Sequence, residues 1–479
     1  MKNKFIGRKP EQEILQSALS SDEAEMISII GRRRVGKTFL VNSVYSGRIN
    51  FEISGIQNAE GNEQLRNFAQ RIKEFFPKAV LVQPPKDWLE AFFLLIEYLK
   101  QEEQKQKLVV FLDEVPWLAT HKSGFLRGLS YFWNSWAVKQ NIVVVLCGSA
   151  ASWMIRKILR DSGGLHNRVT KRIRLKPFNL AETEDYLVSR GISFNRYQLI
   201  QLYMAMGGIP HYLKEIKQGQ SAVQNINRIC FGEDGLLLDE FQSLYPALFD
   251  HSNYHIAIIR ALASKYSGMT RTEILTASKL PDGGRVTRVL EELTESGFIQ
   301  PYPTFGKRKK DKLFRLIDEY SLFYLRFIES NRHDSQDAWG ALSQTQSYKV
   351  WTGYAFENIC LKHTIQIKKG LGISGVYSIT SSFFKKNTNT EKGTQIDLLI
   401  DRNDHIINLI ETKFYNTEFT VTKDYAQKLR EKLRIFQEST KTRKQLFLTL
   451  ITTFGLRHNK HSLGLVNSDL DMDILFEEA

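Results

Sequence analysis

Three runs of apolar residues stand out in the first third of the chain: Glu25 to Ile30, Lys107 to Leu118 and Asn141 to Ala150. The second and third run on without polar alternation, the pattern of strands covered on both faces in a parallel sheet. After the first run the spacing turns helical at TFLVNSVY, so that strand, loop and helix follow one another. Farther on, HIAIIRALASKY, TRTEILTASKL and GRVTRVLEELTESGF space their apolar residues as helices do. IQPYPTFGKRKKDKLFRLID then alternates like a hairpin with a basic tip at Lys307 to Lys310, which makes the segment a helix-turn-helix with a wing. DEYSLFYLRFI reads as a buried linking helix, and residues 329–345, polar and weakly patterned, as a linker. The last third opens with helical periodicity in YAFENICLKH. Two apolar strands follow, TQIDLLIDR and HIINLIETKFY, joined by a short polar turn.

The loop after the first strand reads GRRRVGKT, from Gly31 through Arg32, Arg33, Arg34, Val35 and Gly36 to Lys37 and Thr38. In such a loop backbone N–H groups and the helix N-terminus face the phosphates of a nucleotide. Lys37 reaches the β and γ groups, and the Thr38 hydroxyl ligates Mg²⁺. The second strand ends in Asp113, a candidate Mg²⁺ ligand, and Glu114, a candidate to orient or deprotonate the attacking water. Ser149, at the end of the third strand, is a candidate γ-phosphate sensor, or an ordinary polar strand end. Downstream, Arg168, Lys171, Arg172 and Arg174 are candidates for an arginine finger or for a solvated strand, and Arg168 is preferred among them.

In the last third, Asp397 lies inside one predicted strand, and Glu411 and Lys413, two apart, share a face of the next. Charges inside strands are costly unless they pair or bind metal. The chemical explanation is a phosphodiesterase site in which Asp397 and Glu411 ligate Mg²⁺, Glu357 on the preceding helix completes the metal sphere, and Lys413 positions hydroxide or neutralises the phosphate. The bland explanation is a Glu411–Lys413 surface pair beside an Asp at a bend.

GRRRVGKT, FLDEVPWL, LCGSA, NRVTKRIRLKPF and GGIPHYL resemble the archaeal-type ATPases of the AAA-related STAND group. The resemblance implies an ASCE P-loop core with the acids beside the loop strand, helices on both faces of a parallel sheet, and a helical lid in which Pro210 of GGIPHYL meets bound nucleotide. Glu357, Asp397 and the Glu411-x-Lys413 pair, in that order, resemble the PD-(D/E)XK nuclease superfamily. The α/β multidomain architecture expected is a P-loop ATPase core over 1–178, a helical lid over 179–250 and a winged helix over 251–320. A linker helix and linker over 321–345 and a restriction-endonuclease-like α/β domain over 346–479 complete it.

Composition narrows the setting. Three cysteines far apart, Cys147, Cys230 and Cys360, are not a disulfide framework or a metal site. The charged N-terminus and the lack of a long apolar run point to the cytoplasm and away from the membrane. A formal charge of +14 suits a polyanionic partner, and DNA is the one expected. In the DNA reading Arg285 and Arg288 lie on the recognition helix and the wing lysines touch phosphate; in the packing reading the winged helix couples domains. ATP and Mg²⁺ are the expected cofactors. The outputs that compete are DNA cleavage under nucleotide control, a non-nucleolytic switch with nucleotide-dependent self-assembly, and plain transcriptional regulation.

Overall fold

The computed structural model describes residues 5–78, 83–102, 106–120, 122–160, 163–249, 251–307, 312–331, 337–387 and 393–478. The chain divides into two compact units, Met1–Pro177 and Phe178–Ala479.

The first unit is built on five parallel strands: β1 (Glu25–Ile30), β2 (Phe51–Ser54), β3 (Leu108–Asp113), β4 (Ile142–Gly148) and β5 (Lys171–Arg174). Their order across the sheet is β2-β3-β4-β1-β5. Every residue of β1, β3 and β4 is buried, which is why β4 and β3 up to Asp113 read as unbroken apolar runs and β1, with Glu25 and Ser28, as a mostly apolar one. One face carries a large core in which Phe51, Phe68, Trp88, Phe92, Phe125 and Phe132 pack together. This is an α/β parallel-sheet arrangement, consistent with a P-loop nucleotide-binding fold. The order refines one expectation: the acid-bearing β3 is separated from the loop strand β1 by β4, so Ser149 stands between them.

The second unit begins with helices that include Leu180–Ser189, Arg196–Met206 and Ala222–Cys230. Helices Asn253–Ala263, Arg271–Ser278 and Gly284–Glu295 follow, then the antiparallel hairpin β6 (Ile299–Tyr302) and β7 (Leu313–Leu316). Arg308, Lys309 and Lys310 of the expected basic tip lie outside the described residues. The aromatic segment after the hairpin is buried, with Tyr320, Phe323, Tyr324 and Phe327 all covered. Part of the expected linker is ordered structure instead. Ala338–Leu342 is a helix, and Trp339 is buried against Phe231, Phe323 and Phe327, so a single aromatic in a polar stretch anchors it.

The rest of the unit is the long helix Gln346–Lys362 followed by a five-stranded sheet. Strands β8 (Ser378–Lys385), β9 (Thr394–Arg402) and β10 (Ile406–Lys413) form an antiparallel meander. The short β11 (Phe419–Thr420) and the helix Lys423–Thr440 lead to β12 (Gln445–Thr452), which pairs parallel with β10. After β13 (Leu456–Arg457), β14 (Ser468–Leu470) adds to β12, for the order β14-β12-β10-β9-β8. Leu399, Leu409, Leu429, Phe436 and Leu450 centre its core.

Among the described residues, no helix is long and apolar enough to cross a membrane.

Candidate functional sites

The loop between β1 and the helix Lys37–Val44 has its shape imposed by close approach and by backbone sign. A Cβ on Gly31 would stand 2.4 Å from the Leu175 carbonyl oxygen, and Gly36 has φ of 91°. Arg34 takes the left-handed region as well, at φ 69°. Val35 is buried and pins the loop, while the Arg33 guanidinium lies 5.5 Å from the centre of the Trp117 ring. Arg32 is buried, and its carbonyl accepts a 3.1 Å hydrogen bond from Lys37 Nζ.

The strand ends bring the remaining groups to this loop. The Thr38 hydroxyl donates to Asp113 Oδ2 at 2.7 Å, and the Glu114 N–H donates to Asp113 Oδ1 at 2.9 Å. Glu114 itself is held at φ 45°, a left-handed conformation that non-glycine residues adopt at a cost and that clusters at working sites. Its Oε2 accepts hydrogen bonds from the Ser149 N–H at 3.1 Å and the Ser149 hydroxyl at 2.8 Å, and its Oε1 lies 4.0 Å from Lys37 Nζ. Lys37, Asp113 and Ser149 are all buried. Lys37, Thr38, Asp113, Glu114 and Ser149 therefore form one connected set. A hydroxyl and a carboxylate in contact are the hard oxygen donors that Mg²⁺ takes, so Thr38 and Asp113 fit that ion.

Arg168 is exposed, in the segment leading to β5; Lys171 pairs with Glu25 at 3.5 Å. Pro210 lies in the second unit, at the first turn of the helix Pro210–Leu213.

Within the second unit, Asp397 on β9 and Glu411 on β10 sit on adjacent antiparallel strands, just beyond the paired residues Leu398 and Ile410. Glu357 projects from the helix Gln346–Lys362 and is buried. Each acid already has a basic partner. Arg315, on β7 of the hairpin, donates through Nη2 to Glu357, and its Nη1 lies 3.5 Å from Asp397 Oδ1. Glu411 is paired with Lys432 of the helix Lys423–Thr440 and accepts a 3.2 Å hydrogen bond from the Tyr425 hydroxyl. Lys413 lies over the same Tyr425 ring, 4.8 Å from its centre, so Glu411 and Lys413 do share a face.

Burial, with Asp397 beside it, pushes the Glu357 carboxyl up to about 8 against the pull of Arg315. Burial likewise lowers the Lys413 ammonium from its ordinary value, against the pull of Glu411. Among the described residues no three acids, histidines or cysteines are grouped as they stand to hold a metal ion.

The hairpin is tied to this sheet. Phe305 N–H donates to the Ser382 carbonyl of β8 at 2.7 Å, Ser382 N–H returns a bond to Pro303 at 3.0 Å, and the Phe305 ring packs 5.2 Å from Phe436. The hairpin thus covers the edge strand β8, and Lys307 lines a cavity beside it. On the helix Gly284–Glu295, Arg285 lies 3.9 Å from the centre of the Tyr254 ring and Arg288 bonds Glu292 at 3.0 Å, both exposed.

Residues 5–216 match the model of a family described as an ATPase domain predominantly from Archaea. An uncharacterized protein of Methanocaldococcus jannaschii is 24% identical over 422 residues, covering 86% of this chain and 87% of its own length. Among solved structures, the Walker-type ATPase of Pyrococcus abyssi is similar at 18% identity and a TM-score of 0.48, over 68% of this chain and 97% of its own. The ORC2 protein of Aeropyrum pernix is similar at 14% identity and a TM-score of 0.41, over 72% and 98%.

Arg315, Tyr425 and Lys432 are absent from the expectations drawn from the sequence. Arg315 had a signal: it interrupts the apolar LFRLI, and the rule that flagged Asp397, a charge inside a strand, applies to it equally. Lys432 stands on a helix rich in exposed lysine and arginine, where nothing local distinguishes it.

Proposed function

We propose that the chain is an ATP-driven switch that binds and hydrolyses ATP at Gly31–Thr38 and uses the nucleotide state to control a carboxyl-terminal domain acting on DNA. The observation that carries the first half is the connected set of Lys37, Thr38, Asp113, Glu114 and Ser149. With ATP in the loop, backbone N–H groups hold the phosphates, and Lys37 exchanges the Arg32 carbonyl for β- and γ-phosphate oxygens. Thr38 and Asp113 would hold Mg²⁺, which would supply charge neutralisation at the phosphates. Glu114 then orients or deprotonates the attacking water, and Ser149 turns its hydroxyl from Glu114 to the γ-phosphate. Arg168 is the candidate finger, and Pro210 the lid contact that the STAND resemblance implies.

For the second half, the succession of helix, three-stranded meander, helix and parallel strand supports the PD-(D/E)XK resemblance. In this reading Glu357, Asp397 and Glu411 would supply oxygen donors to Mg²⁺ once parted from their cationic partners, and Lys413 would position hydroxide or neutralise the phosphate. The winged helix and the charge of +14 support DNA as the substrate. The test is an assay of ATP turnover and Mg²⁺-dependent DNA cleavage on the parent, Lys37→Ala and Asp397→Ala. Lys37→Ala should lower ATP turnover about a hundredfold or more, and Asp397→Ala should abolish cleavage with ATP binding intact. Parent-rate hydrolysis by Lys37→Ala, or cleavage surviving Asp397→Ala, overturns the corresponding half.

A second reading has a specific observation behind it: Glu357, Asp397 and Glu411 already have cationic partners. In it the carboxyl-terminal domain is a scaffold, and the output is nucleotide-dependent self-assembly without cleavage. The same assay, read beside oligomeric state with and without ATP, separates the two.

A further inference from the structure

A cavity of about 340 Å³ lies between the segment that joins the helices Asn253–Ala263 and Arg271–Ser278, the β6–β7 hairpin, and strands β8 and β9. That volume falls in the range of small-molecule sites, about 300–1,000 Å³. Its charged walls are three lysines, Lys265, Lys307 and Lys386, and two acids, Glu273 and Asp397. Both acids are already engaged. Glu273 holds Lys265 at 2.8 Å and accepts the Thr270 N–H at 2.8 Å, while Asp397 Oδ1 accepts from Gln395 Nε2 at 2.5 Å with Arg315 Nη1 3.5 Å away. Lys307 and Lys386 are exposed, and among the described residues neither has an ion-pair partner. Two uncompensated ammonium groups at one recess give it a positive potential.

Ser382, on β8, lines the same cavity and is 6% exposed. Its N–H donates to the Pro303 carbonyl at 3.0 Å and its carbonyl accepts the Phe305 N–H at 2.7 Å, so both backbone groups serve the hairpin. The Ser382 hydroxyl is buried and has no hydrogen-bond partner. Leaving such a group unpaired is costly, and an acceptor oxygen bound in the cavity would satisfy it. Ammonium groups and a hydroxyl able to donate suit an anion with several oxygens. Leu313, Phe383 and Phe384 add an apolar wall, suited to a sugar or base attached to that anion.

We propose that this cavity is a phosphate site for a single nucleic-acid strand, in which Lys307 and Lys386 hold one backbone phosphate by charge and the Ser382 hydroxyl donates to it. The inference rests on the reading that the carboxyl-terminal domain acts on DNA. A single strand rotates about its backbone and can turn a phosphate into a recess, whereas a duplex presents its phosphates on a convex surface.

The test is fluorescence anisotropy of a labelled single-stranded DNA titrated with the full-length protein over a series of salt concentrations. The proteins are the parent, Lys307→Gln/Lys386→Gln, Ser382→Ala and Lys423→Gln/Lys460→Gln. The cavity pair is expected to bind about tenfold or more weakly at low salt, with the slope of log affinity against log salt reduced by about 0.7 for the phosphate lost. Ser382→Ala is expected to bind about threefold or more weakly with the slope unchanged, because a neutral donor releases no counterion. Lys423→Gln/Lys460→Gln removes the same charge from exposed lysines outside the cavity and is expected to keep the parent slope. Equal losses in the two lysine pairs, or parent affinity in the cavity pair, overturn the site and leave DNA binding standing. No binding by the parent overturns the DNA reading and the site together. Inorganic phosphate titrated by calorimetry distinguishes the other source: cavity-dependent phosphate binding without cavity-dependent strand binding overturns the strand as occupant.

Discussion

The Thr38 hydroxyl and the Asp113 carboxylate, 75 residues apart in sequence, meet at 2.7 Å. One begins the helix after β1 and the other ends β3, with β4 lying between the two strands. Removing the hydroxyl takes this bond from Asp113, which keeps the one from the Glu114 N–H, and in the proposed site it takes a ligand from Mg²⁺. Thr38→Ala is expected to shift the Mg²⁺ dependence of ATP turnover upward by about tenfold or more, and Thr38→Ser to restore it. A Mg²⁺ titration that is identical in Thr38→Ala and the parent removes Thr38 from the metal site.

Glu114 is held by Ser149 on one oxygen and lies near Lys37 on the other, so its part in binding is separable from its part in chemistry. Glu114→Gln keeps the hydrogen-bonding shape and loses the base. ATP affinity should stay within a few-fold of the parent while turnover falls by about 10²–10⁴-fold. Nucleotide binding by fluorescence, measured beside single-turnover hydrolysis, distinguishes this from a variant that merely binds poorly.

The sheet of the first unit was legible because β1, β3 and β4 are covered on both faces, and such strands leave mostly apolar runs without alternation. The motif then identified the groups that gather at the strand ends, since Lys37, Thr38, Asp113, Glu114 and Ser149 do meet. The second unit was harder. β8 is an edge strand of serine and threonine residues whose burial does not alternate cleanly, and it was not read. Asp397, Glu411 and Lys413 were visible as charges inside strands, but their neutralising partners were not. Arg315 and Lys432 arrive from a hairpin and a helix distant in sequence, and pairing of that kind has no local signature.

Trp339 shows the same lesson in stability. It is 1% exposed in a stretch otherwise polar, and it packs against Phe231, Phe323, Phe327 and Tyr348. Trp339→Ala is expected to cost about 3–5 kcal/mol in the unfolding transition of the second unit, and Trp339→Phe considerably less. Urea titration followed by circular dichroism measures it. An unchanged midpoint for the alanine variant contradicts its role as an anchor.

His363 supplies a pH dependence. It closes the helix Gln346–Lys362, where Nδ1–H donates to the Ile359 carbonyl at 2.8 Å and Nε2 accepts the Leu180 N–H at 3.3 Å, so the neutral ring is the form these partners require. Burial, with Lys362 adding to it and the Ile359 bond opposing it, pushes the imidazole down to about 4. The unfolded chain therefore binds this proton more readily than the folded one, and the stability linked to His363 is full above pH 6.5 and is lost as the pH falls through 4. At about 1.4 kcal/mol per decade the depression corresponds to roughly 3 kcal/mol. Unfolding free energies of the parent should decline across this window, and those of His363→Gln, already lower at pH 7, should decline less steeply. Parallel pH profiles for the two proteins rule out His363 as a source of the slope.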